Sequence, residues 1–481
     1  MNCLHMPSLR LTSLLALLGA TSALAQTPAP QNTSPAAQPA PAPTAAQIDP
    51  SRRVVSLKQA LALAAKQSPD VAAARAQAEA AEAAVSRAWA AWRPDIALSG
   101  QLVRSSAPAV INFGDIVGGI GQVYGLPITN PEAFERFNQP IDINAQVSRY
   151  GTLQISQPLF SPQGLFLVSP AKRGAEAAQL GAQEAREQVL LGVARTYLGL
   201  KGIHQALEAA REAEAVALRR ERDARAQIEA GVAVEVALLR AQAETAQARA
   251  QLANLAGQQQ GLLATLQALT GEAIQPDPAS APETELGVSG RAEDKPWLQA
   301  YAVRSAVKAE QAAVGVNRFD RFAWLPTVAA IGRGNYNSNS GFTGKQTSYD
   351  VLLAVNVPLY DRGLRYAAKS ENEAKLAQAR ANLEGSRARA EAAWISARAN
   401  IAAAEAAAAQ AESQAELASR VQKQVEASAQ AGVATSLELS DADTRRFLAT
   451  SNAAQARAAV DIRRAELAAA EGKLAAYVTS E

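Results

Sequence analysis

Ala-Gly-Val-Ala occurs at 230–233 and again at 431–434, each time inside a long Ala-rich helical pattern. The first copy lies in AQIEAGVAVEVALLRAQAE (Ala226 to Glu244), the second in ASAQAGVATSLELSDADTRR (Ala427 to Arg446). Glycine takes the positive φ that closes a helix, and the helical pattern resumes at once on the far side. Each copy therefore reads as the tip of a helical hairpin, formed by Ala230, Gly231 and Val232 in the first and by Ala431, Gly432 and Val433 in the second. In the second copy the pattern resumes with Glu438 and Asp441 one turn apart. A helix from Arg362 to Gln430 extends on the order of 100 Å at ~1.5 Å per residue. No globular core is that long, so the helices must pack side by side.

Their apolar positions recur at three and four residues, as in Val189, Val193, Tyr197 and Leu190, Ala194, Leu198, and the abundant alanine permits close approach. Those segments alone fit a fibrous coiled coil. The order of landmarks says more. W-x-P occurs at 92–94 and 324–326, Pro-Leu-aromatic at 158–160 and 358–360, and the AGVA tips follow each. The last two pairs are offset by 200 and 201 residues and the first by 232, because the first hairpin loop is longer. The chain is a two-fold repeat.

Each repeat carries two stretches of strand period between its landmarks. Ile96, Leu98 and Gly100 alternate with Asp95, Ala97, Ser99 and Gln101, and Leu153 and Ile155 with Thr152, Gln154 and Ser156. In the second repeat a strand starts at Thr327, and Tyr349, Val351, Leu353, Val355 and Val357 alternate with Asp350, Ala354 and Asn356. The residues between, roughly 105–147 and 334–346, read as loops, and long helices are expected from about Ala171 and after Tyr360. Four strands cannot bury a face or close a barrel. One apolar and one polar face is the wall of a membrane β-barrel, and an open sheet in lipid leaves edge amides unpaired. Several protomers must pool strands, and three, giving twelve, leave a wide lumen. Pro94, Pro158, Pro326 and Pro358 then mark the strand–helix junctions. Trp92 and Trp324 sit beside them at the membrane–water boundary.

The amino terminus fits that destination. Arg10, the apolar run Leu11 to Ala20 and Ala23-Leu24-Ala25 form a secretory leader over 1–25. A Pro/Ala-rich linker, 26–54, follows. The one cysteine, Cys3, leaves with the leader, so the mature chain has no disulfide, thiol chemistry or Cys-metal site. With 47 basic and 45 acidic residues there is no basic excess for nucleic acid. No catalytic or cofactor motif is present, and His204 has no partner pattern. No enzyme and no cofactor are expected.

Leader, two-fold repeat, QPLF and VPLY before long helices, and the AGVA tips together resemble the TolC-like outer-membrane efflux family over about 55–476. That resemblance implies a mostly α protein with a small β part: a homotrimer whose pooled twelve-stranded β-barrel in outer-membrane lipid continues as an α-helical barrel across the periplasm. It implies the exit duct of a tripartite efflux or type I secretion system, joined by a periplasmic adaptor to an inner-membrane pump. The segment AGVATSLELSDA matches the family's tip, where two acidic residues line the constriction, here Glu438 and Asp441. The first repeat has Ala237 and Arg240 there, so the repeats are not equivalent, and Arg240 is the candidate cation for holding the closed state. Crowding of the acids about one axis is expected to raise their pKa values. On this reading the first repeat spans 55–270 with its strand hairpin at 94–158. A connector covers 271–295, the second repeat 296–476 with its strand hairpin at 326–358, and a tail 477–481. The rival reading is a periplasmic coiled-coil adaptor or tether, which would carry one helical hairpin beside compact β domains.

Overall fold

The structure is a computed structural model that describes residues 52–107, 109–125, 132, 141–277, 294–339 and 345–479. The expected leader, nearly all of the linker and most of the connector lie outside the described residues.

Two helical hairpins dominate. In the first, α4 (Pro162–Glu229, 68 residues) turns into α5 (Glu235–Thr270). In the second, α7 (Leu364–Gln430, 67 residues) turns into α8 (Ser436–Ala470). Helix α4 packs on α8, leaving α5 and α7 on the two flanks. Shorter helices continue the layer upward: α2 (Pro69–Trp89) and α6 (Tyr301–Phe319) both lie against α4. Ser68 and Pro69 open α2 in the expected positions, although the Ser68 hydroxyl makes no capping bond.

Helix α4 starts nine residues before the expected Ala171. Ser161 caps it by accepting the Gly164 N–H at 3.3 Å, and Pro162 takes the first turn, where its missing N–H costs nothing. Pro170 is thus inside the helix. It is buried against α6 at Gly315, where a Cβ would lie 2.5 Å from the Pro170 ring. The bare glycine makes room for an interior proline that would otherwise end the helix.

Four antiparallel strands lie at one end, in the order β2 (Asp95–Arg104), β5 (Val147–Phe160), β7 (Thr327–Asn337), β8 (Thr347–Asn356). Their register places apolar residues in rows. Ile96 faces Ile155, which faces Gly332, then Val351; Leu98 faces Leu153, then Gly334 and Tyr349. The opposite face is tied by polar bonds: Ser99 Oγ to the Thr152 carbonyl at 3.4 Å, Thr152 Oγ1 to Asn335 Oδ1 at 3.2 Å, and Asn335 Nδ2 to Asp350 Oδ1 at 3.2 Å. The apolar face is bare, with Tyr349 87% and Leu98 80% exposed.

The region expected as a loop after Arg104 contains structure of its own. A two-stranded ribbon, β3 (Ala109–Ile111) with β4 (Ile141–Asn144), and a helix, α3 (Phe113–Tyr124), rise from the far end of the sheet. Glycine-rich sequence with a single charge, Asp115, masked the helical period there.

Halfway along the hairpins is the one large core. β1 (Arg53–Val55) pairs in parallel with β6 (Ile274–Pro276), and α1 (Leu57–Gln67) and α9 (Leu474–Thr479) close around α4. Leu57, Leu61, Leu190, Val193, Leu266, Ile274 and Leu474 are buried there, and the Tyr197 hydroxyl donates to the Val55 carbonyl at 2.9 Å. Glu187 of α4 accepts the Ala475 N–H at 2.8 Å, while its second carboxylate oxygen is buried without a hydrogen-bond partner. Burial pushes its pKa up from 4.5 to about 7, and nearby Glu184 adds to that. The Ala475 and Leu474 N–H groups and Arg186 oppose it. A raised acid pKa means that the folded state holds its proton where the unfolded chain has lost it. Stability conferred by the protonated form is therefore full below about 4.5 and falls as pH rises toward and through 7. Glu187→Gln keeps the acceptor for Ala475 without the charge. Its thermal midpoint should match the parent at pH 4 and exceed it at pH 8, corresponding to a stability difference on the order of 3 kcal/mol. Parallel melting profiles across that range would disprove the assignment.

Candidate pore constriction and hairpin tips

The two tips are built identically. Gly231 has φ +77° and Gly432 φ +74°. The Gly231 N–H donates to the Ile228 carbonyl at 2.9 Å and Val232 to Gln227 at 3.0 Å; Gly432 donates to Ala429 at 3.0 Å and Val433 to Ser428 at 2.9 Å. This paired pattern satisfies carbonyls that a helix end leaves open, and it needs a left-handed residue at the glycine. No atom lies within 4 Å of where a Cβ would be on either glycine, so only the backbone demands them. Val232 (77% exposed) and Val433 (81%) stand bare at the tips.

The helices that leave the tips differ. Val234 precedes α5 and provides no side-chain cap. Thr435 precedes α8 and forms a capping box with Glu438: its Oγ1 accepts the Glu438 N–H at 3.2 Å, and Glu438 Oε2 accepts the Thr435 N–H at 2.8 Å and its hydroxyl at 3.0 Å. The Thr435 backbone bond first, and its hydroxyl second, hold the Glu438 pKa below the usual carboxylate value. Within the protomer this opposes the upward shift expected from three-fold crowding. Asp441, one turn on, pairs with Arg445 of its own helix at 2.8 Å.

Within the protomer Arg220 of the first repeat reaches across to this region, while Arg240 is exposed on α5. Arg220 pairs with Asp443, donates to the Leu439 carbonyl at 3.1 Å, and lies 3.8 Å from Glu244. Asp443 is buried, 6% exposed. Below it Arg446 bonds Glu212 at 2.8 Å and covers the Phe447 ring. One signal was available: Arg220 stands as many residues before Gly231 as Asp443 stands after Gly432, so the two share one height in packed hairpins. His204 lies beside Glu208, one turn away at 3.4 Å.

At the other end of the helices, Pro94 and Pro326 immediately precede β2 and β7, and Pro358 follows β8. Pro158 lies inside β5, opposite Ala329, where a bulge precedes Phe160; the strand runs on two residues beyond it. A proline is tolerated in a strand at such a bulge. Trp92 packs on Gly164, where a Cβ would lie 2.4 Å from the indole nitrogen. In the second repeat Arg365 lies 4.1 Å over the Trp324 ring, bonds Asp361 at 2.7 Å and donates to the Pro358 carbonyl at 3.0 Å.

A sheet with one bare apolar face, carried on two hairpins of this length, defines a protein that crosses a membrane by strands and reaches far from it by helices. Among the described residues no helix is long and apolar enough to cross a membrane. The profile of the outer membrane efflux protein family matches residues 60–272 and 293–473, and the chain belongs to that family. It is an outer membrane efflux protein. Among curated proteins no sequence match reaches significance. Solved structures share the fold at low identity. The CmeC outer membrane channel of Campylobacter jejuni superposes with a TM-score of 0.71 at 16% identity, over 87% of this chain and 85% of that one. A membrane protein from Pseudomonas aeruginosa gives 0.70 at 20% identity, over 88% and 91%. The open state of the Neisseria gonorrhoeae MtrE outer membrane channel gives 0.67 at 16% identity, over 89% and 94%.

Two outcomes are expected of the tips. Gly231→Ala and Gly432→Ala should each cost about 1 kcal/mol, through φ alone, in denaturant titrations. Arg220→Met should cost more, roughly 3 kcal/mol, because Asp443 is left buried without its cation. Adding Asp443→Leu to Arg220→Met should recover most of that loss.

Proposed function

We propose that three copies of this chain form a passive exit duct through the outer membrane, receiving cargo from a periplasmic adaptor and an inner-membrane pump. The carrying observation is the four-stranded sheet, apolar and bare on one face, with β2 and β8 at its open edges. In lipid those edge amides require strand partners, and the β8 edge of one copy can meet the β2 edge of the next. The helical layer has matching open flanks: Val236 and Leu239 on α5, and Leu417 and Val421 on α7, are exposed. A coiled-coil adaptor would have no use for a lipid-facing sheet.

In such a trimer the helix ends converge, and Glu438 and Asp441 form the constriction. Acidic rings select cations. Glu438 carries more of that selectivity, because its capping bonds hold it charged while Asp441 already has Arg445 as counter-ion. The exposed valines of the tips, with Ala230, Gly231, Ala431 and Gly432, form the docking surface for the adaptor. The junction prolines Pro94, Pro326 and Pro358 join strands to helices at the membrane boundary, and Pro158 marks the bulge just inside the end of β5.

The purified protein should run as an SDS-resistant trimer until boiled and conduct ions in a planar bilayer; a monomer without conductance would refute the reading. Glu438→Gln should shift the reversal potential under a salt gradient further than Asp441→Asn does, with the trimer intact. Unchanged selectivity in the double variant would place the constriction elsewhere. Photo-cross-linkers at Ala230, Val232, Ala431 and Val433 should capture a periplasmic adaptor, and capture of extracellular partners alone would reverse the topology.

A further inference from the structure

Helix α3 stands on the ribbon beyond the far end of the sheet, and the duct does not require it. Its apolar residues are Phe113, Ile116, Val117, Ile120, Val123 and Tyr124, and every one is exposed, Val123 by 79%. They are not scattered. Phe113, Ile116, Ile120 and Val123 follow the alternating three- and four-residue spacing of a coiled-coil seam, with Val117 and Tyr124 flanking it. Gly114, Gly118, Gly121, Gln122 and Asp115 occupy the opposite side of the helix, and Gly114 is buried. An apolar seam of this kind has to be covered by something.

Two features say what covers it. The helix has one charged residue, Asp115, and no basic one. A helix lying on an anionic lipid surface carries lysine or arginine on its polar face, so the outer leaflet is a poor match. The seam also bears on the number of strands. Isoleucine at both repeating positions favours three or four strands over two, and Ile116 and Ile120 at the middle of the seam, between Phe113 and Val123, meet that condition. Three is also the number of chains needed to turn four strands into a barrel with a wide lumen.

We propose that the α3 helices of three protomers meet on the three-fold axis as a short apolar plug over the outer mouth of the duct. The inference rests on the trimeric channel reading above. Reach is sufficient. A twelve-stranded barrel with strands ~4.8 Å apart and tilted by ~40° has a radius of roughly 12 Å. The segment between Arg104 and Phe113 spans up to about 26 Å when extended. A twelve-residue helix is marginal alone, but tethering three to one barrel raises their effective concentration enough to favour association. An apolar constriction closes a pore by expelling water, and it opens when the helices part. The plug would thus be an outward gate independent of the acidic ring at the periplasmic end.

Cys3 is the sole cysteine, so Ile120→Cys in a Cys3→Ser background offers a single thiol per copy. Mild oxidation of outer membranes should then yield cross-linked dimers of the chain on reducing-agent-free gels of boiled samples. Ile116→Lys with Ile120→Lys should leave the SDS-resistant trimer intact and raise single-channel conductance by roughly two-fold or more, since charge abolishes dewetting. An intact trimer whose Ile120→Cys thiol never cross-links, and whose fluorophore label is instead quenched by spin-labelled lipid, would overturn the plug and leave the channel. Unchanged conductance in the double lysine variant would overturn it as well. A monomer would remove the channel reading itself, and the plug with it.

Discussion

A backbone amide cannot go without a partner in lipid, and the rest of this structure follows from that constraint. The four strands expose an apolar face on one side and hydrogen-bonded Ser99, Thr152, Asn335 and Asp350 on the other. Such a sheet is stable in a bilayer only if its edges are joined to other strands. The described residues supply four such strands with β2 and β8 at the open edges, which is the observation behind the proposed assembly. The two-fold repeat follows the same logic, since each repeat contributes one strand pair and one helical hairpin around a common axis. The order of helices, with α5 and α7 on the flanks of α4 and α8, repeats the order of strands above it.

Helices of 68 and 67 residues need lateral support, and the chain provides it at three levels. Near the membrane, small residues let large ones pass: Gly164 beneath Trp92, Gly315 against Pro170. In the middle, β1, β6, α1 and α9 wrap a belt in which Tyr197, Trp394 and Glu187 each bond a distant segment: Trp394 donates to Glu471 at 2.9 Å, and Trp297 lies beside it. Toward the tips the apolar contacts thin to alanines, and charged pairs such as Arg220 with Asp443, and Arg446 with Glu212, take over. Partly exposed ion pairs such as Arg446 with Glu212 hold helices less firmly than an apolar core does. The apolar packing therefore weakens from belt to tip.

The tips show how a repeat acquires two roles. Gly231 and Gly432 sit in the same turn with the same hydrogen bonds, so the backbone of the two hairpins is one design. Of the differences that follow the shared turn, three change capping or charge toward the acidic pair: Val234 against Thr435, Ala237 against Glu438, and Arg240 against Asp441. Thr435 caps its helix and draws the Glu438 carboxylate onto the turn, whereas Val234 can do neither. The second tip thereby holds a carboxylate on the turn at Glu438, where the first repeat has Ala237.

Much of this was legible in the residues themselves. Glycines at equal places in two helical patterns, strand-period alternation and prolines beside tryptophans are local features. Local conformational preference and one-dimensional periodicity suffice to determine helical hairpins, strand faces and family. What needed the tertiary structure was anything that depends on who stands opposite whom. Pro170 looked like a helix boundary because only packing reveals Gly315 beside it. The ion pair of Arg220 with Asp443 joins the two repeats, and only the packed hairpins show that these two side chains meet. The Glu187 pKa depends on burial by α9, a segment nearly three hundred residues away. Helix α3 was hidden because its glycines weaken the helical signal while its apolar seam is spread over barely three turns. Sequence determined the elements and their faces, since those follow from each residue and its near neighbours. Partners, burial and electrostatic balance were decided by three-dimensional packing, since they belong to pairs that the chain order does not join.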